Sequence, residues 1–542
     1  MKKPNFLFFV FITLFFSCSN HERQLGKRVF RYNEAANITS LDPAFSRDQS
    51  IIWATNQLFN GLVQLNDRME VRPCISRSWE ISSSGLEYVF HLRSDVFFHD
   101  SPAFRDGKGR RVVASDFIYS FRRIIDPSVA SPGAWIFNNI SFNGDKPPFE
   151  ALNDSTVVVR LNQPFPPFLG LLSMQYCSVI PFEAIEFYGA GFRRNPIGTG
   201  PFIFKMWEEG VKLVLVKNPA YFESMNGERL PFLDAVAITF VADKQSAFLE
   251  FIKGNLDFLS GIDPTYKDEL LTHDGKLQPK YAQKIMLITQ PYLNTEYLGF
   301  MVENQSQGKE VPAILDKRLR QAISLAFDRK KMIRYLRNNI GTPGYQGITP
   351  KGLPSFDSNH IFYDYNPQKA RQLLAAAGYP GGKGLSSLTL TSTPDYLDIC
   401  KYIQHQVASI GLDLKIEVSP PAAVKEMKAE GKLSFFRASW IADYPDAENY
   451  LSMFYTRNFC PKGPNYTHFS NPDFDRLYEK SMSTIDDSLR RVYYKEMEHI
   501  MMEEAPVVIL YYDQVLRFVQ KNIQGLNSNP MNLLTLKQVK KL

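Results

Sequence analysis

From about residue 290 to 510 the chain alternates amphipathic helices with short apolar strands, and no other feature constrains its fold as tightly. The run LDKRLRQAISLAFDRKKMIRYL places Leu315, Leu319, Ile323, Phe327 and Leu336 near one helical face. YNPQKARQLLAAAG carries Asn366 as a cap, Pro367 in the first turn and Gly378 as the stop. YLDICKYIQHQVASIG ends at Gly411 and leads into the strand LDLKIEVS. NPDFDRLYEK repeats the Asn-Pro helix entry, and VVILYY follows Pro506 as a late strand. Helix followed by strand, repeated, predicts an α/β lobe.

The earlier part of the chain reads differently. FRYNEAANITSLDP begins with a short alternating run and breaks at Asp42-Pro43, and SIIWATNQLFNGLVQLND predicts a helix closing at Gly61. LEYVFHLRSDVFFHD alternates apolar and polar residues over two strand-length runs. In ASDFIYSFRRIIDP, Ser115 is the expected N-cap, and Phe117, Phe121, Ile124 and Ile125 share a face. STVVVRLNQPFPPF predicts a strand ended by prolines. IGTGPFIFKMW and VKLVLVKNPAYF form a hairpin around Glu208-Glu209-Gly210, and LDAVAITFV is a further strand. AFLEFIKGNLDFL gives a helix, a Gly254 turn and a return strand. At 542 residues the chain exceeds one core, so two or three domains are expected.

MKK precedes the apolar run Phe6 to Phe16, and SCSN follows. Two charges, an eleven-residue run apolar but for Thr13 and a small-residue exit make a secretory signal, too short to span a bilayer as a helix. Cys18 lies where a lipoprotein signal is cut and acylated. Phe15 and Phe16 stand where such signals usually carry Leu and a small residue, and a cut after Ser19 is the competing expectation. The mature chain is expected to be exported, with the lipid as its only membrane attachment.

Cys74, Cys177, Cys400 and Cys460 are spaced too widely for a metal motif and are expected as isolated buried thiols. His91 and His99 are poorly placed on a strand for one metal, so no metal or cofactor is expected. There is no G-x-x-x-x-G-K-[ST], H-E-x-x-H or G-x-S-x-G. The net charge of +6 falls by the two charges of Lys2 and Lys3 to +4 once the signal is removed; with no basic face, nucleic acid is excluded as a partner.

One stretch asks for a function. RASWIADYPDAENY, residues 437–450, sets Asp443 between Trp440 and Tyr444, with Arg437 just upstream. The aromatics are either walls around a carboxylate that holds something or core residues beside a helix cap.

Ten segments in order, among them SLDPAF, LFNGLVQLND, YVFHLRSDVFFHD, PIGTGPFIF, FIKGNLDF, DKRLRQAISLAFDR and SWIADYPDAENYL, make the chain resemble the extracytoplasmic solute-binding proteins of peptide ABC transporters, the oligopeptide- and dipeptide-binding family (solute-binding protein family 5). The resemblance implies a periplasmic binding protein-like α/β fold of type II, cluster C-like, with three domains. Two hinged lobes close on the ligand: lobe I is 27–60, 178–291 and 511–542, and lobe III is 292–510. An extra domain, 61–177, is inserted in the first. It also implies a non-enzymatic monomer that captures short peptides and hands them to an ABC permease with separate ATPase subunits. In the W-x-x-D-Y pattern, Asp443 is implied to hold the ligand's α-ammonium, with Trp440 and Tyr444 beside it. Arg437 matches a position that meets the carboxylate of shorter ligands, with structural salt bridging as its alternative. Tyr292 matches a ligand contact near the hinge, with core packing as its alternative. Ile441 and Leu293 stand where some relatives place a disulfide, and Gly133 where some place an aromatic. Nickel chelates, haem or oligosaccharides in the same fold, or a lipid-anchored hydrolase, are the alternatives.

Overall fold

A computed structural model describes residues 28–142, 144–263, 265–303 and 312–542. Residues 1–18, where a secretory signal is expected, including Cys18, lie outside the described residues. One mixed sheet organises most of the molecule. Its order across the molecule is Leu414–Val418, Leu388–Ser392, Phe435–Ile441, Ile285–Phe300, Val507–Gln520, Phe258–Ser260, Val29–Asn33, Ala235–Thr239, Lys212–Lys217 and Phe202–Glu208. Parallel pairs form at the 388–392/414–418 end and between Val29–Asn33 and Ala235–Thr239. The center is antiparallel, where Ile285–Phe300 pairs along most of its length with Val507–Gln520.

Those two strands, 16 and 14 residues long, connect the two main hydrophobic cores. One core gathers residues from Phe30 to Phe240 together with Ile523 to Val539, and the other runs from Leu293 to Tyr512. The pairing shifts register between Pro291 and Thr295 and again after Glu296, so the ladder is interrupted where the chain passes from one core to the other. A separate four-stranded antiparallel sheet, Ser76–Ile81, Glu87–Leu92, Thr156–Arg160 and Phe149–Asn153 in spatial order, is built entirely from residues 76–160.

Local chemistry explains most elements. Asn366 and Asn471 accept from the N–H groups of Lys369 and of Asp473 and Phe474, with proline next in each case. The hairpin turns at Gly210, and Gly254, Gly378 and Gly411 sit at positive φ where the predicted helices stop. Among the described residues, Cys74, Cys177, Cys400 and Cys460 are free and buried.

Four expectations are corrected. The run 315–336 is two helices, Lys317–Leu325 and Arg329–Leu336. Asp328 starts the second by accepting from the Lys331 N–H at 3.0 Å. The buried Arg329 guanidinium fixes the corner by donating to the Ser324 and Ile509 carbonyls. The helix expected to reach Gly61 is Gln49–Leu58, closed by an extended Phe59. Ser115 is not the cap of Ala114–Ile125; Val113 holds that place, and the Asp116 carboxylate accepts from its N–H. The second run of LEYVFHLRSDVFFHD forms only a bridge between Phe97 and Arg111.

Candidate functional site

Strand Phe435–Ile441 runs antiparallel to Ile285–Phe300, with Trp440 opposite Thr295 and Ile441 opposite Asn294. At its end the chain turns away, and four hydrogen bonds fix the turn. Ala442 N–H donates to the Leu293 carbonyl at 2.9 Å, and the same carbonyl accepts from the Tyr450 hydroxyl at 2.7 Å. The Asn449 amide oxygen accepts from the Trp440 indole N–H at 2.8 Å and from the Asp443 N–H at 3.2 Å. This leaves the Asp443 side chain projecting into a cavity of about 570 Å³.

The cavity is walled by segments far apart in sequence: Ser46 to Trp53, Trp135, Ser173 to Tyr176, Tyr292, Ile441 to Asp443, and Met531 with Leu533. Gln49, Trp53 and Tyr292 also line a neighbouring cavity of about 420 Å³. Leu65, Met174 and Gln175 are shared with a third, of about 320 Å³. The result is a chambered cleft at the crossing between the cores. A further cavity of about 500 Å³ beside His360 and His499 contains none of the residues singled out by sequence.

Asp443 stays open to the cleft, yet the surrounding walls displace enough water to push its carboxyl above the ordinary carboxylate value. Its hydrogen bonding with Asn449 partly offsets this. Among the described residues no cation lies within 4 Å of it. An unpaired carboxylate in a partly desolvated cleft is a site waiting for a counter-charge.

The five residues predicted from sequence divide. Asp443 and Tyr292 line one cavity. Trp440 stands behind them, packed against the second core and tied to Asn449. Tyr444 is buried on the other side of the turn, 6.5 Å from the Phe165 ring and 6.4 Å from that of Trp135, and its hydroxyl bonds the buried Glu448. Arg437 is paired with Glu296, and its guanidinium carbon lies 3.0 Å from the centroid of the Tyr396 ring. Arg437 lines neither of the two cavities that meet at Tyr292.

Sequence reasoning missed Asn449 and Tyr176 and selected no residue from the segment 40–47 that ends at Arg47. Asn449 lies inside the quoted stretch, but only the turn makes its amide a brace. At position 133, an added Cβ would lie 2.4 Å from the Tyr176 ring. The Tyr176 ring therefore occupies the space a side chain at 133 would need, a neighbour no linear pattern reveals. His91 bonds Glu80, and buried His99 bonds the Gly200 carbonyl. Among the described residues no group of three or more His, Cys, Asp or Glu is placed to hold a metal.

Two lobes joined by crossing strands, with a chambered, aromatic-walled cleft between them, define a ligand-capturing receptor. The chain belongs to the bacterial extracellular solute-binding proteins, family 5, whose middle-region model matches residues 70–459. It thereby serves as the extracytoplasmic solute-binding component of an ABC importer, as the sequence resemblance implied. It is 27% identical over 493 residues to the Haemophilus influenzae heme-binding protein A, covering 88% of this chain and 85% of that one. It is 25% identical over 500 residues to the Escherichia coli glutathione-binding protein GsiB, covering 90% of each. The fold matches that of the periplasmic binding protein DppA from Helicobacter pylori in complex with the peptide STSA. There the TM-score is 0.77 at 24% identity, with 96% of this chain and 100% of that chain covered. Among the described residues no helix is long and apolar enough to cross a membrane.

Proposed function

We propose that the solute is a short peptide and that Asp443 holds its α-ammonium. The observation behind this is the unpaired Asp443 carboxylate on the wall of the cleft, braced by Asn449 and facing Tyr292. Every linear peptide brings one ammonium and one extended backbone, so a receptor for many sequences gains most from contacts to those shared features. Two similar proteins support the reading: glutathione is itself a small peptide with a free amine, and DppA was solved with a tetrapeptide. Haem offers carboxylates rather than an ammonium, and Asp443 would repel them.

In this reading Trp440 positions the site through Asn449, Tyr444 locks the turn against residues 135 and 165, and Tyr292 contacts the ligand. Arg437, paired with Glu296, supports the strand beneath. Lobe I is 27–60, 178–291 and 511–542, lobe III is 292–510, and 61–177 is the extra domain; the separate sheet within 76–160 supports that division. The protein binds and releases without catalysis, acts as a monomer and delivers its ligand to a permease with ATPase subunits. Its tether is an acyl group on Cys18, testable by the mass of the mature N-terminal fragment.

Small molecules released by denaturing the purified protein should be short peptides of varied sequence by mass spectrometry. Recovery of a single haem, metal complex or sugar would overturn the proposal. Calorimetry should show that Asp443→Asn and N-terminal acetylation of the peptide each remove binding.

A further inference from the structure

Of the eighteen residues lining the Asp443 cavity, one other is charged: Arg47. Its side chain is exposed, and among the described residues it has no ion-pair partner within 4 Å, Asp443 included. The two charges nevertheless share neighbours. Both act on the hydroxyls of Tyr176 and Tyr466, Asp443 raising and Arg47 lowering their proton affinity.

The backbone carrying Arg47 is fixed from beneath. Asp42 is buried and pairs with Arg123 at 2.6 Å. It also accepts from the Ala44 N–H, while Ser131 donates to the Ala44 carbonyl at 2.6 Å and the Arg47 N–H reaches the Phe45 carbonyl at 2.8 Å. A guanidinium presented from a rigid turn into a partly desolvated cavity suits the planar fork of a carboxylate.

Resting on the peptide reading above, we infer that Arg47, rather than Arg437, receives a ligand carboxylate in the same cavity where Asp443 receives the ammonium. The cavity is thus built for a zwitterion. Arg437 already spends its charge on Glu296. A volume of about 570 Å³ takes a ligand of two or three residues together with water. The carboxylate comes either from the C-terminus of such a peptide or from an acidic side chain close to the amine.

The test is calorimetry on the full protein with Ala-Ala-Ala, its C-terminal amide, the amide of Ala-Glu-Ala and N-acetyl-Ala-Ala-Ala. Wild type should bind Ala-Ala-Ala at least tenfold more tightly than its amide. Arg47→Gln should erase that difference while leaving affinity for Ala-Ala-Ala amide within about twofold, which also shows that the variant is folded. If the glutamate restores affinity to the amide, the side chain is an accepted source; if not, only the terminal carboxylate is read. Equal binding of acid and amide by wild type, or discrimination surviving in Arg47→Gln, overturns the inference while Asp443 remains the amine site. Equal binding of acetylated and free peptides, or no peptide binding at all, overturns the underlying reading as well.

Discussion

Asp443 illustrates what an unpaired carboxylate on a cleft wall costs its protein. Its folded pKa is raised, so the unfolded chain is more ionised, and this carboxylate lowers stability as pH rises through the folded value. Asp443→Asn should therefore raise the melting temperature of ligand-free protein at pH 7 while peptide binding is lost. A fall in melting temperature would mean that the carboxylate has a structural partner. Asn449→Ala removes an acceptor from the Trp440 and Asp443 N–H groups, about 1 kcal/mol for each lost hydrogen bond. It should weaken peptide binding far more than denaturation midpoints alone would suggest. Arg437 is a different case. Removing it strands Glu296, of which only 2% of the side chain is exposed, and should cost ~3–5 kcal/mol in urea unfolding. Arg437→Met with Glu296→Leu should recover much of that loss.

At the scale of elements, the break at Asp328 is the clearest test of local chemistry. Asp328→Ala deletes the acceptor that begins the 329–336 helix and should lower stability by about 1 kcal/mol without changing peptide affinity. Gly133 shows the opposite logic. A methyl group there collides with the Tyr176 ring, which lines the cavity. Gly133→Ala should lower peptide affinity, and fluorescence titration against Gly133→Ala/Tyr176→Ala should recover part of it.

Over the whole molecule, buried carboxylates set the pH response. Burial raises Glu34 and Glu498 to about 7 and Glu448 to about 6, so each withdraws stability as pH rises from about 4.5 toward those values. His99, lowered to about 4 by burial, acts in reverse: its contribution is full above its unfolded pKa of about 6.5 and fades as pH falls toward 4. Three carboxylates outweigh one histidine, so the melting temperature should decline between pH 5 and 7.5. Glu498→Gln should flatten that slope in a thermal melt series.

Short-range features of the chain were legible in its residues: the Asn-Pro helix entries, the glycine stops at 254, 378 and 411, and the α/β alternation. These depend on neighbours within a few positions. The strand Ile285–Phe300 was not legible as one element. Its first half is half-buried, whereas its second half is fully buried and includes Asn294, Thr295 and Glu296. Polar residues enter that core because partners arrive from elsewhere, as Arg437 does for Glu296, so no period of two survives to be read. For the same reason the sequence by itself could single out Asp443, while only the tertiary structure decided its company. Arg47, Tyr176 and Tyr292 meet Asp443 across hundreds of residues because two cores share one sheet, and charge pairing acts through space rather than along the chain.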